Sequence, residues 1–191
     1  DTMVYLDKGK VIAVDSNGKV IAKGTAGTDD ATVIQAALDG QGTIYIGNGT
    51  YYLSGEQMLR VSSDTHVTGD LQTKINSYRF GFHLDGAKTE TVTTVTADVG
   101  AVASEIPVDD ASPFSVGDYI LINSNRRSEY LNAQYGEIRR IDAISESVLI
   151  TDPVEYHYAL VDNPVVTKLD MVSNVTIENI EIYSESNPST Y

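Results

Sequence analysis

The sequence predicts an all-β fold that begins with one short α-helix and continues as a solenoid of stacked β-coils. Short stretches rich in β-branched and aromatic residues recur at a near-constant spacing from Thr43 onward, separated by Gly, Asn, Asp and Ser turns. Apolar and polar residues alternate within these stretches, which is the two-residue period of a pleated strand. Together the two patterns indicate successive short strands on a repeating path.

The composition fits a single globular domain and excludes several classes of function. With 191 residues and 20.7 kDa, the chain is long enough for one hydrophobic core. Its 13 Lys and Arg residues face 27 Asp and Glu residues, so a nucleic acid backbone would be repelled. Cys is absent, which excludes disulfides and thiolate metal sites. No apolar run approaches the ~18 residues of a membrane span.

The N-terminal part predicts a β-meander followed by the helix. Three short apolar runs fall within residues 1–27, and Asn17-Gly18 between the second and third is a strong hairpin signal. Thr28 or Asp29 is then placed to cap a helix from Asp30 to Leu38. The apolar residues of that helix fall on one stripe at helical spacing, so we expect the stripe to pack on the strands.

A series of motifs runs through the stretch from Thr28 to Ile75. In order, they are Asp29-Asp30, Ile34-Gln35-Ala36-Ala37, Gly42 to Tyr51 (GTIYIGNGTY) and Gly69-Asp70. This series resembles the opening of the pectate-lyase-like superfamily, which includes viral tail spikes and secreted polysaccharide-active proteins. The resemblance implies a right-handed parallel β-helix in which the helix covers the open end of the first coils.

The pattern changes after residue 96 and returns near the end of the chain. Strands joined by longer polar loops are predicted at Tyr119–Ile122, Glu137–Ile141 and Val148–Thr151. They indicate an antiparallel β-insertion on the solenoid. Val172 to Tyr183 alternates again and predicts a fresh coil, expected to be truncated because no polar cap follows. The predicted divisions are 1–27 for the meander, 28–96 for the helix and first coils, 97–164 for the insertion, and 165–191 for the resumed coil.

The sequence carries few candidates for catalysis. His66, His83 and His157 show no ligand spacing, so no zinc site is predicted. Asp109-Asp110 is the most obvious carboxylate pair, but adjacent strand residues point to opposite faces and cannot share one bond. No catalytic residue is assigned, and this fragment alone is expected to be inactive. No cofactor is predicted, although the acidic balance leaves Ca²⁺ binding open.

Arginines of the insertion lie close to acidic residues in the sequence. The pairs are Arg126-Arg127 and Arg139-Arg140, and the acidic residues are Glu129, Glu137 and Asp142. A polysaccharide lyase would need such a residue, often Arg or Lys, as its base near a metal-neutralised carboxylate of the sugar. The alternative is that they are surface charges and cross-strand pairs, which are common and weak.

Tyrosines of the insertion predict a binding surface. Tyr makes up 12 of the 15 aromatic residues, and Tyr119, Tyr130, Tyr135, Tyr156 and Tyr158 all lie in this segment. Amphipathic rings beside guanidinium and amide donors are typical of polar recognition surfaces, although individual rings can also pack in the core. The predicted glycan- or partner-binding residues are Arg126, Arg127, Tyr130, Asn132 and Tyr135.

These features favour a binding or structural module of an extracellular, cell-surface or virion protein. The predicted function is the glycan-engaging stem of a tail spike, fibre or adhesin. Its expected partners are a cell-surface or extracellular polysaccharide and, on assembly, further copies in a homotrimer. One alternative is the N-terminal part of a polysaccharide lyase or glycoside hydrolase whose active site lies in later coils. The other is a purely architectural oligomerisation domain.

Overall fold

A computed structural model describes residues 1–55, 57–78, 81–127 and 133–184. The strands, in chain order, are β1 (Thr2–Asp7), β2 (Lys10–Asp15), β3 (Val20–Thr25), β4 (Gly42–Ile46), β5 (Gly49–Leu53), β6 (Leu59–Arg60), β7 (Thr65–Ser77), β8 (Phe82–His83), β9 (Ala87–Thr94), β10 (Glu105–Pro107), β11 (Tyr119–Arg127), β12 (Gln134–Ser145), β13 (Val148–Thr151), β14 (Val165–Asp170) and β15 (Thr176–Tyr183). One α-helix, α1 (Asp30–Leu38), lies between β3 and β4, and a short 3-10 turn occupies Leu160–Asp162. The predicted all-β class and the predicted helix are confirmed.

The chain divides into two compact units. The first unit comprises Asp1–Asp85 and the chain from Val172 onward, and the second unit is Gly86–Met171. These boundaries differ from the predicted divisions at 96 and 164, because β9 and β14 pair with each other in one antiparallel ladder. The periodicity of each strand indicated an extended conformation but carried no information about its partner.

Strands of the first unit stack in parallel. Both β4 and β5 pair with β7, which in turn pairs with β15, and β6 pairs with β8. Gly42 and its partner Thr65 are 23 residues apart in the chain, as are Leu59 and Phe82. The chain therefore returns to equivalent positions after a near-constant length, as the spacing of the strands predicted.

The alternating pattern predicts separate strands at Thr65–Thr68 and Lys74–Asn76 with a turn at Gly69-Asp70 between them. The structure has one strand, β7, but its pairing is divided: the first part pairs with β4 and the last part with β5. The bend lies inside the strand, where the pairing with β15 shifts register. The buried Thr73 hydroxyl donates to the carbonyl of Ile46 at 2.8 Å, which holds the bend against the neighbouring strand.

The N-terminal strands form an antiparallel ladder attached to this stack. β1 pairs with β2, β2 pairs with β3, and β1 also joins β4 in parallel. At the predicted hairpin the Asp15 carboxylate accepts from the backbone N–H groups of Asn17 and Lys19, both at 2.9 Å. Gly18 has φ of +78°, a left-handed conformation that glycine adopts without strain.

Two polar side chains fasten α1 to the strands. The fully buried Asp30 carboxylate accepts from the backbone N–H of Gly27 at 3.0 Å and from that of Tyr52 in β5 at 2.8 Å. Gln35 accepts from the N–H of Arg60 in β6 at 2.8 Å and donates to the Arg60 carbonyl at 3.0 Å. Asp30 and Gln35, which belong to the predicted helix motifs, therefore form hydrogen bonds with backbone groups of β5 and β6. These groups lie at strand edges and would otherwise be unpaired.

The expected helix cap is not formed as predicted. Asp29 occupies the N-cap position, but its side chain makes no capping hydrogen bond to the helix. Its carboxylate instead accepts from the backbone N–H of Thr25 at 2.7 Å.

Burial is the main factor that raises the pKa of Asp30, since the carboxylate is removed from water despite its N–H donors.

The second unit is a six-stranded antiparallel sheet with the order β10-β13-β12-β11-β14-β9. Each unit has its own hydrophobic core. Fully buried residues of the second core include Ile120, Ile122, Ile141, Leu149, Tyr158 and Val166. The alternating burial along β11 gives this sheet one face towards the core.

Candidate functional site

The hairpin formed by β11 and β12 carries the predicted binding residues. Arg126 and Arg127 are the last residues of β11, and Tyr135 is the second residue of β12. The pairing of the two strands shifts register between Asn123 and Arg127, an irregularity of the kind that re-aims side chains. Two predicted residues, Tyr130 and Asn132, lie outside the described part of the chain.

Arg126, Tyr135 and Tyr156 meet where the end of β11 lies beside the start of β12, and we call them the Arg–Tyr cluster. The guanidinium carbon of exposed Arg126 lies 5.1 Å from the centroid of the half-buried Tyr135 ring, within the range of a cation–π contact. The Tyr135 and Tyr156 ring centroids are 5.0 Å apart with planes inclined at 59°. Such tilted pairs are a favoured arrangement of aromatic rings.

Tyr156 was missing from the predicted binding set, although it was noted among the tyrosines of the insertion. It is 40% exposed and lies in the connection that follows β13. The run of tyrosines after Pro153 was the available signal, but nothing in the sequence places that connection beside Tyr135. Their contact depends on the hydrogen bonds that fold the connection back onto β12.

A buried carboxylate makes those hydrogen bonds. Glu137 of β12 accepts from the backbone N–H of Glu155 at 2.9 Å and from that of Tyr156 at 3.2 Å. It also forms an ion pair with Arg139, whose Nε donates to the carbonyl of Pro153 at 3.1 Å. The Glu137 side chain is 6% exposed and that of Arg139 is 17% exposed, so the pair supports the site from inside and is not part of its surface. The pair therefore fits the charge pairing that was the alternative interpretation of these residues, not a base exposed to a sugar.

Tyr158 is a core residue, so among the tyrosines of the insertion it follows the alternative in which individual rings pack in the core. It is fully buried, and its hydroxyl donates to Glu137 at 2.8 Å. Burial and then the bond to Glu137 raise the pKa of the Tyr158 phenol above its ordinary value. The phenol consequently remains a hydrogen-bond donor at physiological pH.

Other candidate groups have local structural partners. Asp110 accepts from the backbone N–H of Ser112 at 2.8 Å, as expected in a turn. The Nε2 atom of His66 lies 3.0 Å from a carboxylate oxygen of Glu178 on the neighbouring parallel strand. A guanidinium nitrogen of Arg140 lies 3.8 Å from a carboxylate oxygen of Asp142. Among the residues that the structure describes, no group of three or more His, Asp or Glu side chains is arranged to hold a metal ion.

The Arg–Tyr cluster offers two kinds of contact to a ligand. The tyrosine rings present flat apolar area with a polar hydroxyl at the edge, and Arg126 adds planar N–H donors beside them. Sugar rings combine apolar C–H faces with hydroxyl and carboxylate acceptors, so this chemistry suits a saccharide.

In the described ranges, no helix is long and apolar enough to cross a bilayer.

The second unit matches a known family. Residues 91–170 match the model of the K1 capsule-specific polysaccharide lyase, Rider domain. The match lies within Gly86–Met171, the unit that contains the Arg–Tyr cluster.

Over most of its length the chain is related in sequence to a bacteriophage protein. It is 30% identical over 196 residues to the capsule K1-specific depolymerase of Klebsiella phage K64-1. The alignment covers 92% of this chain but 22% of the depolymerase, so the chain spans about a fifth of this relative.

Solved tailspikes share the fold. The gp54 tailspike of Acinetobacter baumannii bacteriophage AP22, solved with A. baumannii capsular saccharide, superposes with a TM-score of 0.69 at 20% identity, over 83% of this chain and 27% of that one. The gp49 tailspike of Pseudomonas phage LKA1 superposes with a TM-score of 0.61 at 19% identity, over 80% of this chain and 27% of that one. The chain thus has the all-β fold of a segment of phage tailspikes, and its relatives in sequence and fold are tailspikes and a capsule depolymerase.

Proposed function

We propose that this chain is a module of a virion-surface tailspike that engages a capsular polysaccharide through the Arg–Tyr cluster. The observation that carries the proposal is the mutual contact of Arg126, Tyr135 and Tyr156 on the unit that matches the Rider domain family. Exposed aromatic and Arg side chains contribute large contact areas at a small entropic cost, so they dominate binding at many interfaces. Arg127 at the end of β11 extends the proposed surface, and Tyr130 and Asn132, which follow it in the sequence, remain part of the proposal.

We further propose that the first unit is the start of a right-handed parallel β-helix. The parallel ladders β4-β7 and β6-β8, with partners 23 residues apart, support this reading, as does the parallel pairing of β15 with β7. In such a helix α1 and β1 cover the edges of the first coil, and residues 86–171 are an insertion in the sequence between two coils. We propose a stem role for the first unit and glycan binding for the second.

The binding site is tested by replacing all three cluster residues. The variant carrying Arg126→Ala, Tyr135→Ala and Tyr156→Ala is expected to lose glycan affinity by roughly thirtyfold or more, which corresponds to about 2 kcal/mol. Binding of the purified chain to a panel of bacterial capsular polysaccharides, followed by biolayer interferometry, measures this loss. Circular dichroism should show an unchanged fold.

Tyr119→Ala is a matched control for this experiment. Tyr119 and Tyr156 are each 40% exposed, and Tyr119 lies at the other end of β11 from Arg126. We expect this control to bind as the wild type does. If the triple variant still bound the glycan, the binding site would have to lie elsewhere on the chain. If the triple variant instead dissociated an oligomer in sedimentation, the hairpin would be a subunit contact.

The depolymerase relative favours a second function for the whole protein, namely cleavage of the capsule by residues beyond this chain. We expect the chain alone to be inactive, because no acid and base pair that could face one glycosidic bond is recognised in its sequence. Incubation with uronate-containing and neutral capsular polysaccharides should release no unsaturated or reducing ends above the buffer blank. Release of either product would place a catalytic site within these residues.

A further inference from the structure

We propose that Glu137 is a positioning residue for the Arg–Tyr cluster, because it holds the connection after β13 so that Tyr156 stays against Tyr135. The inference rests on the proposed function and deepens it. It assigns a role to a buried side chain that itself contacts no ligand.

The order of residues along β12 places Glu137 next to the cluster. Side chains two apart on a strand point to the same face, so Tyr135, Glu137 and Arg139 lie in a row. Tyr135 belongs to the cluster at one end of this row, and Arg139 reaches the Pro153 carbonyl at the other. The Glu137 carboxylate therefore lies under the connection that carries Tyr156.

The connection is anchored on both sides of Tyr156 by backbone bonds to another segment. The N–H of Val154 donates to the carbonyl of Ala103 at 2.9 Å, and that of Tyr158 donates to the carbonyl of Val99 at 2.9 Å. Between these anchors, the N–H groups of Glu155 and Tyr156 donate to Glu137. Between the anchors, Glu137 supplies the side-chain acceptor for backbone N–H groups of the arch, residues 155–157, which carries Tyr156.

Four donors converge on Glu137, and this explains why a carboxylate is needed. They are the two backbone N–H groups, the Tyr158 hydroxyl and the Arg139 guanidinium. An ionised carboxylate accepts on both oxygens and carries no donor, whereas a glutamine amide has one acceptor oxygen and an NH₂ group. In Glu137→Gln the NH₂ would face donors, so the arch would lose part of its support.

The proposal is tested with Glu137→Gln in two backgrounds. In the otherwise wild-type chain we expect glycan affinity to fall about tenfold, whereas in a Tyr156→Ala chain the same change should alter affinity by less than about twofold. Glu105→Gln removes the same charge at an exposed position of β10 and should leave affinity unchanged. An equal loss in both backgrounds, or no loss in the first, would overturn the positioning role.

Two measurements that need no glycan separate this proposal from the proposed function. In the free wild-type protein, the Glu155 and Tyr156 amides should exchange with deuterium as slowly as the core amides of β12. Nuclear Overhauser contacts between the Tyr135 and Tyr156 rings should be present in the wild type and lost in Glu137→Gln. Fast exchange in the wild type, or ring contacts retained in the variant, would overturn the proposal even if the chain bound a glycan. A wild type that bound no glycan would refute the proposed function alone.

Discussion

Replacing Ile34 by Asp is expected to lower the free energy of unfolding of the first unit by about 4 kcal/mol. Ile34 is fully buried in the first core, where α1 contacts β2, β3 and β5. An Asp at this position would place an unpaired carboxylate among apolar side chains, which is among the most costly substitutions in proteins. Urea denaturation followed by circular dichroism measures the loss.

Thr32→Asp provides the control for this variant. Thr32 lies on the exposed side of the same helix, and an acidic residue in the first turn is favourable to the helix dipole. We expect its stability to remain within about 0.5 kcal/mol of the wild type. If Ile34→Asp unfolded at the same urea concentration as Thr32→Asp, α1 would not cover the strands as described.

Replacing Gly69 by Ala is expected to cost about 3 kcal/mol, because β7 and β15 approach each other too closely at this point for any side chain. A Cβ on Gly69 would lie 2.5 Å from the carbonyl oxygen of Asn179 and 2.8 Å from both Ile180 Cγ1 and Thr73 Cβ. The Asn179 oxygen belongs to the backbone, so β15 must move to relieve the clash. Amide hydrogen exchange should show protection lost first at Ile180 and Ile182.

Gly100→Ala is the matched control, since a Cβ at that position meets no heavy atom within 4 Å and the backbone there is not left-handed. We expect no measurable change for it beyond about 0.5 kcal/mol. Unaltered protection of β15 in Gly69→Ala would mean that β15 does not pack against β7 as the structure describes.

The helix was predictable from the sequence because its determinants are local. Val33, Ile34, Ala37 and Leu38 fall on one stripe, and these side chains are buried. The role of Asp30 was not predictable in the same way, because one of its donors is the backbone N–H of Tyr52, which is 22 residues away. A local pattern therefore suggested a helix cap where the structure has a link between the helix and a strand.

The candidate site was predicted in part for a similar reason. Arg126 and Tyr135 are brought together by one hairpin, and their proximity follows from local strand pairing. Tyr156 reaches them through Glu137, and this long-range hydrogen bonding leaves no periodic signal in the sequence. Tyr158 follows the other alternative given for these tyrosines, since its ring is buried with its hydroxyl bonded to the same carboxylate.

The most direct test of the account is an NMR titration of the chain, labelled on its tyrosine rings, with a capsular oligosaccharide that it binds. If the Arg–Tyr cluster is the glycan site, the ring signals of Tyr135 and Tyr156 will shift saturably, while that of Tyr45 in the first unit will stay in place. Assignments come from single Tyr→Phe variants. Unchanged Tyr135 and Tyr156 signals at saturating oligosaccharide, or the absence of any capsular ligand, would contradict the account.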